Sequence, residues 1–280
     1  MTKIIFYTGF ALVAFAFNSI LCRMALRGGE ADAVGFTAVR LVSGAVTLIT
    51  LGYFFGKGKS ITRGNFLSAF FLFAYAIWFS LAYLGLNAGT GALILFGCVQ
   101  LTIIVVALFR GERPGVLEWV GLLAAVGGLI YLVSPGLKEA PPIYSAGLMA
   151  AAGIAWGVYT LRGRSSGDPL GETTGNFVWT VPMIVLAAVP YYSQIHLSTR
   201  GVLLAVLSGA AASGIGYTAW YAALKHLAST RAAVLQLSVP VIAAAGGIAF
   251  LAETATTRLW IAAALILGGI GLTILGKGNK

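Results

Sequence analysis

The chain has 280 residues, of which 59% are hydrophobic and only 9% charged, and its mean hydropathy is +0.93. Soluble domains are roughly a quarter charged, so a water-soluble globule is excluded and the composition is that of an all-α polytopic membrane protein. The net charge of +10 requires no nucleic acid, because basic loops beside anionic lipid account for it.

Taken in chain order, apolar runs of about 20 residues recur, each long enough for a hydrocarbon core about 30 Å thick. They predict spans near 4–26, 33–55, 66–87, 91–109 and 117–133, then near 145–161, 174–191, 202–224, 231–251 and 259–275. The first run carries Lys3 and a small-residue "AFA" at 14–16, which mimics a cleavable signal, but it continues to Leu26 and predicts a retained helix. The connections "GKGKSITRGN", "NAGTG", "RGERPG", "SPGLKEAPP" and "RGRSSGDPLGE" are short and rich in breakers, and none holds a soluble domain.

Lys and Arg set the orientation. With the N-terminus in the cytoplasm, that side holds Lys3, Lys57, Lys59, Arg63, Arg110, Arg113, Arg162, Arg164, Lys225, Arg231, Lys277 and Lys280. The opposite side holds Arg23, Arg27, Lys138, Arg200 and Arg258, and Arg40 lies within a span. The excess predicts that both termini are cytoplasmic.

One pattern occurs twice. Glu112 is followed by Trp119 and Gly127-Gly128, and Glu253 by Trp260 and Gly268-Gly269, all at one offset of 141 residues. Gly9 and Gly147 each open a first helix, and "AGTGAL" from Ala88 parallels "ASTRAA" from Ala228. The repeated unit is five helices. An odd number makes the second copy enter the membrane upside down, so residues 1–136 and 142–280 are expected to form two inverted five-helix repeats. Such repeats are a mark of secondary transporters with a midplane site.

At these residues the chain resembles a known family. "FTAVRLVSGAVTL" at 36–48, "AWGVYTLRGR" from Ala155, and "FRGE" and "FLAE" ahead of helices five and ten are similar to the EamA family of the drug/metabolite transporter superfamily. The resemblance implies a ten-helix metabolite exporter of the bacterial inner (plasma) membrane, and, within the family, the branch of aromatic amino acid exporters. The chain departs from the family pattern at Phe17-Asn18, where Trp-Gly is common, and at Gln100, where Pro is common.

The candidate solute site is expected near the midplane, between helices one, three, four, six, eight and nine. Arg40 must face the bundle, a cavity or the interface, since a lipid-facing charge is costly; it either braces backbone carbonyls or attracts a solute carboxylate. Asn18, Gln100 and Gln236 are mid-span amides, suited either to holding a zwitterion or to interhelical bonding. Tyr75, Trp78, Trp156, Tyr159 and Tyr217 are the candidate aromatic lining, useful for flat or cationic solutes. Pro240 and Pro182 lack amide hydrogens and would free the carbonyls of Gln236 and Val178, making them candidate helix breaks or gates. Gly121, Gly127, Gly128, Ala264 and Gly268 permit close packing of helices five and ten, or alternatively a homodimer seam.

Other classes lack their residues. The eight acidic residues fall in loops or near helix ends, as do His196 and His226, so no mid-membrane proton relay is evident. A facilitator driven by the solute gradient is expected, with a multidrug or cationic-compound exporter as the alternative. No GxxxxGK[ST] loop is present. Cys22 and Cys98 are isolated, and nothing implies a metal or cofactor. An intramembrane enzyme would need a base or metal ligands to activate a nucleophile, and the spans offer neither.

Overall fold

The computed structural model describes residues 2–55, 64–109, 111, 115–134, 140–163, 168–224, 226–227 and 235–277. Glu112, the "ASTRAA" segment through Ala233 and many of the basic loop residues, among them Lys57, Arg110, Arg164 and Lys225, lie outside the described residues.

The described residues are almost wholly helical. The first half comprises α1 (Thr2–Arg27), α2 (Ala33–Phe55), α3 (Phe66–Ala82), α4 (Ala88–Phe109) and α5 (Val116–Val133). The second comprises α6 (Ile143–Gly163), α7 (Pro169–Ala188), α8 (Thr199–Leu224), α9 (Ser238–Leu251) and α10 (Thr257–Lys277). Eight of these are long and apolar enough to cross a membrane, and α3 and α9 are shorter apolar helices. The fold class expected from composition holds: this is an α-helical polytopic membrane protein.

Local signals explain the helix starts. Asp32 Oδ1 accepts the amides of Val34 and Gly35 at the head of α2, and Asn65 accepts Ser68 N at the head of α3. Asp168 accepts Gly171 N ahead of Pro169, and Ser198 accepts Gly201 N ahead of α8. These are N-caps, each pairing an otherwise orphaned helix donor. They also move boundaries: α7 starts five residues before the expected 174, and α8 three before 202. Beyond α7 a tight 3₁₀ turn, Val189–Gln194, replaces the last α-turn.

Two departures from the expected helices matter more. In α8 the segment Leu207–Ile215 is a π-helix. Within the expected ninth span the chain turns at Leu237, between the helical residues 235–236 and α9, so Pro240 stands in the first turn of α9 just beyond this break. In a first turn the missing proline donor has no intrahelical partner to lose.

The packing pairs elements across the two halves. α3 and α4 lie on α6, while α8 and α9 lie on α1. α2 contacts α7 and α8, α3 contacts α7, α4 contacts α9, and α5 lies along α10. Gly121 makes the last contact as close as it is: a Cβ there would stand 2.4 Å from Gly269 O and 2.5 Å from Thr273 Oγ1. The bundle interior holds Phe36, Arg40, Phe79, Tyr83 and Phe177, all fully buried, while Tyr53, Phe109, Val116 and Tyr192 are largely exposed. Large exposed apolar side chains are what lipid-facing surfaces require.

Candidate solute site

Five helices converge on one small cavity. Its lining is Phe15 and Asn18 from α1, Tyr75 and Phe79 from α3, Leu95 and Phe96 from α4, Trp156 from α6 and Tyr217 from α8. Helical spacing puts Phe15 with Asn18, three apart, and Tyr75 with Phe79, four apart, on single faces. The rings form a connected cluster. Trp156 lies 4.8 Å from Tyr75 and 5.1 Å from Tyr217 between centroids, Tyr75 lies 5.4 Å from Phe79, and Phe15 meets Tyr217 edge-on at 5.7 Å. The space left has a volume of about 10 Å³, room for about one water. Small-molecule pockets usually measure roughly 300–1,000 Å³, so the rings must part to admit a solute.

The polar groups around this cluster differ in how they are satisfied. Asn18 is used twice: its Oδ1 accepts Ser208 Oγ at 2.7 Å and its Nδ2 donates to Ser213 Oγ at 3.4 Å. Ser213 Oγ in turn donates to Ser208 O at 2.9 Å, a bond that crosses the wider π turn. Asn18 therefore clamps α1 to the π-helical segment as well as facing the cavity. Gly209, in that segment, allows α8 to lie against α2, because a Cβ there would stand 2.1 Å from Arg40 O.

Arg40 is the largest fully buried side chain among the described residues. Its guanidinium carbon lies 5.4 Å from the Tyr75 ring centroid and 5.0 Å from that of Phe79, and its Nη2 donates to Tyr75 Oη at 3.1 Å. Both rings line the cavity, so the charge stands directly behind the wall. Nη1 is buried with no hydrogen-bond partner among the described residues.

The other expected residues fall into two groups. Asn18, Tyr75, Trp156 and Tyr217 share the cavity lining, with Arg40 behind it and Tyr159 tilted against Trp156 at 5.4 Å between centroids. Trp78, Gln100 and Gln236 are outside the lining; Trp78 is half-buried, and the buried Gln100 has an unpartnered Nε2. Pro182 lies on an exposed face beside Trp179, whose ring meets Phe66. Phe15, Phe79, Leu95 and Phe96 complete the lining without having been singled out from sequence. The i+4 step from Tyr75 would have found Phe79, whereas apolar residues such as Leu95 carry no chemical signal.

Both ends of the bundle are tied. At one, Arg23 binds Glu253 at 3.3 Å and the carbonyls of Tyr83 and Leu84, while Glu253 also accepts Ala88 N at 2.8 Å. A cavity of about 230 Å³ lies beside this tie, lined by Asn87, Thr90, Pro142, Thr254 and Thr256 among others. The loop ahead of α2 is stitched to the loop ahead of α8 through the Ala31–Leu197 bridge and the Arg200–Glu30 pair. At the other end Arg162 donates to Ser68 Oγ and Asn65 Oδ1, each at 2.9 Å, and Asn65 N donates to Asn176 Oδ1.

Comparison with known proteins bears on this geometry. The profile of the EamA-like transporter family matches residues 144–275. A protein of Pseudomonas aeruginosa described only as uncharacterized is 47% identical over 267 residues, covering 95% of this chain and 93% of its own length. The chain belongs to the EamA-like transporter family. Among further relatives, the threonine/homoserine exporter RhtA of Escherichia coli is 30% identical over 182 residues, 61% of this chain and 59% of that exporter. A probable amino-acid metabolite efflux pump of Salmonella typhimurium is 26% identical over 257 residues, 87% of this chain and 82% of its own length. A solved crystal structure, 20% identical, superposes with a TM-score of 0.69 over 98% of both chains, which establishes a shared fold. As an EamA-like protein the chain is a transporter and not an enzyme.

Proposed function

We propose that this EamA-like protein exports small organic metabolites, amino acids with aromatic or other apolar side chains foremost, from the cytoplasm of a bacterium across its inner membrane. Transport proceeds by alternating access between two inverted five-helix halves, residues 1–136 and 142–280, with both termini cytoplasmic. The observation that carries this reading is the aromatic and amide lining gathered from α1, α3, α4, α6 and α8 at one buried cavity. Rings offer broad apolar faces to a side chain, and Asn18 and the tyrosines offer polar contacts to its head group.

Two further observations support it. Three of the main contacts between the halves recur when each helix is exchanged for its counterpart five places on: α3 on α6 matches α8 on α1, α4 on α6 matches α9 on α1, and α2 on α8 matches α7 on α3. The names of the relatives, an exporter of threonine and homoserine and a probable amino-acid metabolite efflux pump, point to the same solute class.

Transport is proposed to be facilitated and not proton-coupled. Asp32, Glu118, Asp168 and Glu253 each accept a backbone amide at a helix start, and Glu30 pairs with Arg200. Those carboxylates are committed to holding the fold. The test is counterflow in proteoliposomes with labelled Phe, Tyr, Trp and Thr alongside cationic drugs. Saturable exchange of an amino acid without accompanying proton movement is expected. Exchange of the drugs alone, or proton uptake that tracks flux, would overturn the reading.

A further inference from the structure

Five other arginines among the described residues close on oxygens that belong to the fold. Arg23 takes Glu253 and two carbonyls, Arg27 takes Leu251 O, Arg162 takes Ser68 and Asn65, Arg200 takes Glu30, and Arg258 takes the carbonyls of Tyr131 and Ser134. Arg40 is built differently. It is 2% exposed, yet its one hydrogen bond among the described residues goes to a phenol, Tyr75 Oη, and no carboxylate among the described residues pairs with it. A guanidinium carries five donors and keeps its charge at any accessible pH. The faces of Tyr75 and Phe79 repay part of the lost hydration through cation–π attraction. They supply no acceptor for Nη1, which stays unpartnered.

The wall that holds this charge is the wall of the cavity. Tyr75 and Phe79 line the space and cover the guanidinium at once. A solute carboxylate entering between these rings would offer two anionic oxygens to a fork that now holds a single phenol. Charge-assisted, two-pronged pairing is much stronger than a neutral bond. Tyr75 Oη therefore acts as the placeholder that a carboxylate displaces, and the same charge repels solutes whose head is only a cation.

We infer that Arg40 is the specificity-determining residue of this cavity and that it selects solutes bearing a free carboxylate, excluding cations of the same shape. The inference rests on the proposed role of the cavity as the solute site, and it goes further by naming the head group that is read and the class that is refused.

The test compares three probes with one phenethyl body: 3-phenylpropionate, L-phenylalanine and phenethylamine. Binding to the purified full-length protein in detergent is measured by calorimetry, for the wild type, Arg40→Gln and Arg40→Lys. Both carboxylates are expected to bind at least about tenfold more tightly than phenethylamine. Arg40→Gln should weaken the carboxylates by about tenfold and leave phenethylamine unchanged or tighter, with Arg40→Lys between. Should Arg40→Gln fail to fold, the wild-type preference and Arg40→Lys still decide. Equal binding of acid and amine, no binding of either carboxylate, or carboxylate affinity indifferent to Arg40 would each overturn the inference. Flux without head-group preference would overturn this inference and leave export standing. Carboxylate preference without flux would do the reverse.

Discussion

Glu253 joins Arg23 to the start of α4: its Oε1 lies 3.3 Å from Arg23 Nε and its Oε2 accepts Ala88 N at 2.8 Å. The left-handed turn at Ala252, φ 50°, carries the chain back so that this carboxylate reaches both. A negative charge at a helix N-terminus is favourable in itself, and here it also ties α1 to the start of α4 at one end of the bundle. Glu253→Gln keeps the shape and removes the charge, and should weaken the tie by about 2 kcal/mol. With Cys22 and Cys98 replaced, a cysteine at Asn87 should then react faster with a water-soluble maleimide. Arg23→Gln should do the same, and the double variant should add little more, since both remove one interaction. Unchanged labelling would show that the tie does not hold this end closed.

The contact between α5 and α10 separates glycines that look equivalent in sequence. Gly121 faces backbone, 2.4 Å from Gly269 O to a built Cβ, whereas Gly127 and Gly268 face open space. Gly121→Ala must push two helices apart and should destabilise the protein by about 1–3 kcal/mol. Gly127→Ala meets nothing and should be neutral or stabilising by up to about 1 kcal/mol, through helix propensity alone. Thermal denaturation of the two variants in one detergent checks the contrast, and equal losses would contradict it.

Asn18 anchors the π-helical segment of α8 through Ser208 and Ser213. Asn18→Ala leaves both hydroxyls without their α1 partner. Interhelical hydrogen bonds in membranes average about 0.6 kcal/mol each, so a loss of about 1 kcal/mol is expected. Ser208→Ala should cost a similar amount, and little more once Asn18 is already Ala. Melting temperatures of the four proteins in this cycle give the coupling, and additive losses would remove the clamp.

The fold was largely legible because hydrocarbon imposes one rule, about 20 apolar residues per crossing, and the sequence follows it throughout. Where it failed, the cause was local. Ser198 and Asp168 are capping residues whose polarity hid the first turns of α8 and α7. The π segment gave no warning, since "LSGAAASGI" reads as any small-residue stretch and its bonds to Asn18 connect residues 190 or more apart in sequence. Of the candidate site, polar and aromatic types pointed to Asn18, Tyr75, Trp156 and Tyr217, but type alone could not tell Trp78 from Phe79. Those two neighbours point in different directions, and only the register of α3 on α6 decides which one meets the cavity.

That register yields a direct comparison of two tryptophans. Trp156 is the hub of the cluster, within 5.4 Å of the rings of Tyr75, Tyr159 and Tyr217, while Trp78 is half-buried outside the lining. Aromatic pairs contribute about 0.5–1.5 kcal/mol each beyond area burial, and a bound solute would replace some of them with contacts of its own. Trp156→Leu should therefore raise the half-saturating solute concentration in proteoliposome counterflow by about tenfold. Trp78→Leu should change it by no more than about twofold, on the same scale. Both variants must elute as single species before flux is compared, because losing a buried indole also costs packing. If Trp78→Leu proves the more damaging of two well-folded variants, the solute passes along a different face of α3.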